Sequence, residues 1–150
     1  MIQLIPYAIL CAFVVLTENN IRLQMASKVV LMTALFDQLR SFIVELSEMY
    51  PEDSDFPLFI TSLQLLKTSN PAILIKYMYD NLTPYEEKIM TRDEKFFIDN
   101  SFSEYDGYID MNLFGKLKGY VMDMNPESKE SVWKYMENVF RLAKATYLHA

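Results

Sequence analysis

Cysteine occurs once in the 150 residues, histidine once and glycine three times. The single thiol, Cys11, cannot close an intramolecular disulfide, so the cross-linked framework of small secreted domains is excluded and the cytoplasm is the expected compartment. Zinc takes three or four ligands drawn from Cys, His and carboxylates, and one Cys with one His do not support such a site. A Ser–His or Cys–His nucleophile would have to use His149, next to the last residue. Three glycines exclude Gly-rich phosphate loops and argue against strands joined by tight turns. Positive charge is also scarce: 14 Lys and Arg against 20 Asp and Glu leave a net charge of −6. Such a chain repels nucleic-acid phosphates and anionic lipid unless its cations gather on one face. Here Lys116, Lys118, Lys129, Lys134, Arg141 and Lys144 alternate with Asp123, Glu127, Glu130 and Glu137, the pattern of solvated helix faces.

Long apolar runs are few as well. Ile2 to Leu16, IQLIPYAILCAFVVL, is shorter than the roughly 20 residues a membrane-spanning helix needs. No Lys or Arg precedes Arg22, so the basic start of a signal peptide is missing. Three readings stay open for residues 1–24: an extension ahead of a start at Met25, a membrane-associated or packed helix, or a signal sequence. Residues 25–150 form the expected single domain.

What is abundant is apolar and aromatic surface, 51% and 14% of the residues. The organising stretch is Val29 to Tyr50. Met32, Leu35, Leu39, Phe42, Leu46 and Met49 recur at steps of three and four, and Phe36 and Ile43 widen the stripe, which predicts a helix over Lys28–Tyr50 with one buried face. Pro51 ends it. Asp55 or Ser54 is the expected cap of the next helix, which would bury Phe56, Phe59, Leu63 and Leu66. Asn70-Pro71 starts a third helix over Ala72–Asn81, with Asn as cap and Pro in the first turn. Thr83-Pro84-Tyr85-Glu86 reads as a capping box for a helix that runs to Ile98 or breaks near Thr91, where Thr91-Arg92-Asp93-Glu94 repeats the pattern. A helix over Asp110–Met124 follows. Asn125-Pro126 then opens a last one, Glu127–Tyr147, carrying Trp133, Phe140 and Tyr147 at steps of seven. The fold class is all-α: a bundle of about six helices with an extra apolar N-terminal segment.

Few residues point to chemistry. With Gly107 at position 6 of a calcium loop, Glu104 and Asp106 take positions 3 and 5, and Asp110 follows nearby. Phe102 and Leu113 then fall where the first and twelfth ligands belong, so an acidic surface loop turning on Asp106-Gly107 is the plainer reading. Glu104, Asp106 and Asp110 are the only candidate cation ligands, and no cofactor is expected. Glu86/Glu87 and Asp93/Glu94 are adjacent in sequence, so neither pair faces itself across a shared proton. Gly115 and Gly119 match the spacing that lets helices approach closely. Tyr77, Tyr79, Tyr105 and Tyr108 are the candidate partner-binding aromatics.

Three segments, FDQLRSFIVELSEMYPEDSDFP (36–57), NLTPYEEKIMTRDEKFFIDN (81–100) and NPESKESVWKYMENVFRLA (125–143), resemble short, uncharacterised helical proteins encoded by large DNA viruses of algae and protists. The resemblance begins near Met25 and covers about four-fifths of the chain. It implies a virus-encoded protein made in host cytoplasm, with carriage in the virion as one option, and implies no activity. The expected function is that of a non-enzymatic helical interaction protein. The alternatives are a membrane-anchored structural protein using residues 2–16, and a calcium-responsive protein or enzyme.

Overall fold

A computed structural model describes residues 20–99 and 113–149, apart from the side chains of residues 20–26, 113 and 114. It is all-α, with no strand among the described residues. α1 (Asn20–Met49) runs for 30 residues, about 45 Å at 1.5 Å per residue. It starts eight residues ahead of Lys28 and runs through Met25. Leu35, Phe36, Leu39, Phe42, Ile43 and Leu46 are buried as the periodicity predicts. Met32 packs at the edge of the core, and Met49 departs from the stripe at 37% exposed, because the helix ends there and the chain turns away. Pro51 has no N–H to continue the ladder, and the last such bond is Tyr50 N–H to the Leu46 carbonyl, 2.9 Å.

α2 (Asp55–Ser69) lies back along α1 and buries Phe56, Phe59 and Leu63. The expected cap fails here. Ser54 makes no side-chain cap; instead the Asp53 carboxylate accepts the Asp55 N–H at 3.0 Å. α3 (Pro71–Leu82) has Pro71 in its first turn, but the Asn70 side chain makes no capping bond; only its carbonyl accepts, from Ile73 N–H at 3.3 Å. A 3-10 turn (Thr83–Tyr85) and α4 (Glu86–Met90) follow. Thr83 is not a cap either: its hydroxyl donates back to the Tyr79 carbonyl, continuing the preceding helix. The chain does break at Thr91, and α5 (Glu94–Asp99) begins with Asp93 as its cap, Oδ1 accepting the Phe96 N–H at 3.0 Å.

α6 (Leu113–Val121) and α7 (Pro126–Leu148) complete the described fold. Asn125 caps α7 as expected, accepting the Ser128 N–H at 2.8 Å. α7 runs antiparallel to α1. Tyr135 stacks on Phe42 at 5.0 Å between ring centres, and Asn138 donates to Gln38 at 2.8 Å. α3 meets the far end of α7, where Tyr79 stacks on Tyr147 at 4.2 Å. The core is the seam between α1, α2, α3 and α7, closed by Leu74, Met78, Val139, Phe140 and Ala143. Thr146 is fully buried there, its hydroxyl satisfied by the Leu142 carbonyl at 2.6 Å. Among the described residues no single helix is long and apolar enough to cross a membrane. The bent pair Asp55–Ser69 and Pro71–Met90 reaches that hydropathy, at an angle of 117°. Much of its apolar surface is core: Phe56, Leu63, Leu74, Met78 and Ile89 are all buried.

The Gly115/Gly119 pair does not place a neighbouring helix against Gly119, where an added methyl would meet nothing within 4 Å. Gly119→Ala is therefore expected to stabilise the protein by about 0.8 kcal/mol, through helix propensity alone. Urea denaturation of the two proteins measures it, and a loss of stability would mean that the site is covered.

Candidate functional site

The densest polar constellation among the described residues joins the acidic turn after α1 to one face of α6. Pro51 forces the turn, and the turn directs Asp53 inward, where its side chain is only 11% exposed. Lys116 and Tyr120, one helical turn apart, share a face of α6. Lys116 Nζ donates to Asp53 Oδ2 at 2.8 Å and Oδ1 at 3.0 Å, and to Asp55 Oδ2 at 2.5 Å. The Tyr120 hydroxyl donates to Asp53 Oδ2 at 2.5 Å. With the Asp55 N–H, the Asp53 carboxylate thus collects three different donor groups. Below them the rings stack: Tyr50 on Tyr120 at 3.8 Å, with Phe56 at 5.9 Å from Tyr120 and Lys116 Nζ 5.9 Å from the Phe56 ring centre.

The electrostatics follow from these bonds. Donation from Lys116, then from Tyr120 and the Asp55 N–H, lowers the Asp53 carboxyl to about 2. Tyr120 is raised, first because its proton is held by Asp53 and then by desolvation. Burial works against the Lys116 charge, but the bonds to Asp53 and Asp55 outweigh it and the ammonium is raised. Tyr50 is raised by burial and by the nearby acids Asp123 and Glu52. Each shift carries its group further from neutrality, whereas a general acid or base works best with a pKa near the operating pH. The arrangement keeps Asp53 ionised and Lys116 and Tyr120 protonated, and binds α6 to the turn.

A second constellation locks α4 and α5 onto α7. The chain leaves α4 through a Schellman turn: Asp93 N–H bonds the Lys88 carbonyl at 3.0 Å and Arg92 N–H the Ile89 carbonyl at 3.1 Å. The left-handed position that such a turn requires is occupied by Arg92, φ 54°, where glycine is usual. Its guanidinium Nε donates to Glu137 Oε2 at 2.6 Å and its Nη1 to both Glu130 oxygens at 2.6 and 2.7 Å. Lys129 reaches Glu94 at 3.1 Å, and Lys144 reaches Glu86 at 3.0 Å. The alternating charges thus form cross-helix pairs where the sequence predicts only a solvated face. The left-handed backbone and the ion pairs separate by mutation. Arg92→Ala loses the pairs and keeps the strain, and Arg92→Gly loses the pairs and relieves it, so the glycine variant is expected to be the more stable by about 1 kcal/mol. Equal stability in thermal melts would contradict this.

The sequence-predicted site residues fall elsewhere. Glu104, Asp106 and Asp110, with Tyr105 and Tyr108, lie outside the described residues. Among the described residues no group of three or more His, Cys, Asp or Glu could hold a metal ion. Tyr77 and Tyr79 lie within α3, away from any turn. Tyr77 packs against the core and Tyr79 against Tyr147. The residues that sequence reasoning passed over are Asp53, Lys116 and Tyr120. Their one local signal is the i, i+4 placement of Lys116 and Tyr120 on a short helix; the contact to Asp53 spans more than 60 residues. Compared with protein-family models, with curated proteins and with solved structures, the chain gives no match.

Proposed function

We propose that this is a non-enzymatic helical protein that binds a protein partner through the outer face of α2. The observation that carries the reading is an uncharged arc. Leu58 and Leu65, seven residues apart, are 62% and 63% exposed. Pro57, Thr61, Gln64 and Thr68 fill the same side, which spans roughly 120° of the helix at about 100° per residue. The Thr61 hydroxyl donates to the Pro57 carbonyl at 3.2 Å and Thr68 to Gln64 at 3.2 Å, so both side chains spend their polar atoms on their own helix. In a chain of net charge −6, an arc without charge is where an apolar helix or groove of another protein meets least repulsion. The fixed charges of the Asp53 cluster, with Asp53 ionised and Lys116 and Tyr120 protonated, support the non-enzymatic part of the proposal. The viral origin, and the host cytoplasm or virion as the place of action, belong to the same proposal and rest on the three resembling segments.

A photoreactive residue placed at Leu58 or Leu65 is expected to trap the same polypeptide in source cells, while one at the exposed, charged position Glu48 traps none. With the photoreactive residue at Leu58, Leu65→Asp should abolish the trapping and leave far-UV circular dichroism unchanged. Equal trapping from all three positions, or none from any, would refute the proposal.

A further inference from the structure

We infer that the partner of the α2 face is a second copy of this chain, paired antiparallel across a two-fold axis. The inference rests on the reading of that face given above and names its occupant. Leu58, Thr61, Leu65 and Thr68 recur at steps of three, four and three, the spacing of a helix-to-helix seam. All four are exposed. Both threonines donate their hydroxyls to carbonyls of α2 itself, Thr68 to Leu65 at 3.1 Å as well as to Gln64, which leaves their methyl groups to pack. The other long helices carry exposed charge instead: Asp37 and Arg40 on α1, Lys76 and Asp80 on α3, Lys134 and Arg141 on α7.

Charge decides the occupant. A foreign helix is selected, and wrong pairings are rejected, by charges that flank the seam. Here the flanking residues are Pro57, Ser62, Gln64 and Ser69, all uncharged. Two copies of a chain of net charge −6 therefore meet along this line without a like-charge pair. The ends of α2 set the direction. Glu52, Asp53 and Asp55 lie at its N-terminal end, and Lys67 is in its last turn. Parallel pairing would set the acids of both copies side by side. Antiparallel pairing puts them at opposite ends, about 18 Å apart over the rise from Asp55 to Lys67, well beyond the screening length of roughly 8 Å at physiological salt. It also opposes the two helix dipoles. Leu58 then lies across from Thr68 of the second copy, and Thr61 across from its Leu65. The seam from Pro57 to Thr68 is about 17 Å long, which places the interface in the small, transient class.

Sedimentation equilibrium of the purified full chain is expected to show a mass rising from one chain toward two, with half-association near about 100 µM. Leu65→Asp should raise that concentration at least about tenfold with unchanged far-UV circular dichroism, and Glu48→Gln, away from the seam, less than about twofold. With a photoreactive residue at Leu58, the purified chain should cross-link to residues 65–70 of a second copy. A mass that stays at one chain up to about 1 mM would overturn the inference, as would cross-links confined to residues 55–61, which mark parallel pairing. In source cells, capture of a different polypeptide through Leu58 by a chain that is monomeric when pure removes the second copy and leaves the α2 face as a binding surface. Capture of nothing removes both.

Discussion

Phe42→Ala is expected to cost about 4 kcal/mol, a large part of the roughly 5–15 kcal/mol that holds a domain of this size folded. The ring is 2% exposed in the last third of α1 and lies nearly parallel to Tyr135, 18° between planes. Removing it takes away the transfer free energy of a large side chain. It also opens a cavity on the α1–α7 seam that two long helices cannot collapse to fill. Leu39→Ala, one turn away and equally buried, is expected to cost about 3 kcal/mol. Chemical denaturation followed by far-UV circular dichroism measures both. A loss below about 1 kcal/mol for Phe42 would mean that this seam is not the core. Trp133→Ala is the instructive contrast. Its seven-residue spacing to Phe140 gives the two equal standing in the sequence. In the structure Phe140 is buried, while Trp133 is partly exposed against Phe97, with 5.7 Å between ring centres. The tryptophan substitution is therefore expected to cost less than Phe140→Ala.

That contrast marks where sequence reading succeeds and where it stops. A period of 3.6 residues fixes which side of α1 is buried, because six apolar positions in one stripe have no other stable use. It places Leu35, Phe36, Leu39, Phe42, Ile43 and Leu46 correctly. Proline and asparagine mark the helix starts at Pro71 and Pro126 because their effect is local to the backbone. Whether a capping side chain is used depends on competitors. Asn125 finds Ser128, whereas Thr83 bonds backwards to Tyr79 and Asp53 takes the place of Ser54. Ion pairs are less legible again. Arg92 with Glu130 and Glu137, or Lys116 with Asp53, are joined by the packing of helices 38 to 63 residues apart. A window of the 11–18 residues over which helical periodicity is read never contains both partners.

Asp53→Ala is the second large effect, expected to cost about 2–3 kcal/mol at neutral pH, since it leaves the Tyr120 hydroxyl and the Asp55 N–H without their acceptor and Lys116 with one carboxylate instead of two. The pH dependence gives an independent check. The Asp53 carboxyl falls from 3.8 to about 2 on folding. As pH drops the unfolded chain takes up this proton first, so the stabilisation is fully present above the unfolded value and is lost as pH falls from about 4 to about 2. The amount is about 2 kcal/mol for a shift of this size. The stability gap between wild type and Asp53→Asn should therefore be constant from pH 7 down to about 5, then shrink toward zero near pH 2. On the alkaline side the raised Tyr120 contributes in the opposite sense: its share is present below the ordinary tyrosine value and is lost as pH rises through the folded one. Amide exchange distinguishes a latch from a core element. If the Asp53 cluster alone fastens α6, then Asp53→Ala accelerates exchange at Leu117–Val121 and leaves Leu39–Leu46 protected. Acceleration of both by the same factor would show instead that α6 unfolds with the α1–α7 seam as one cooperative unit.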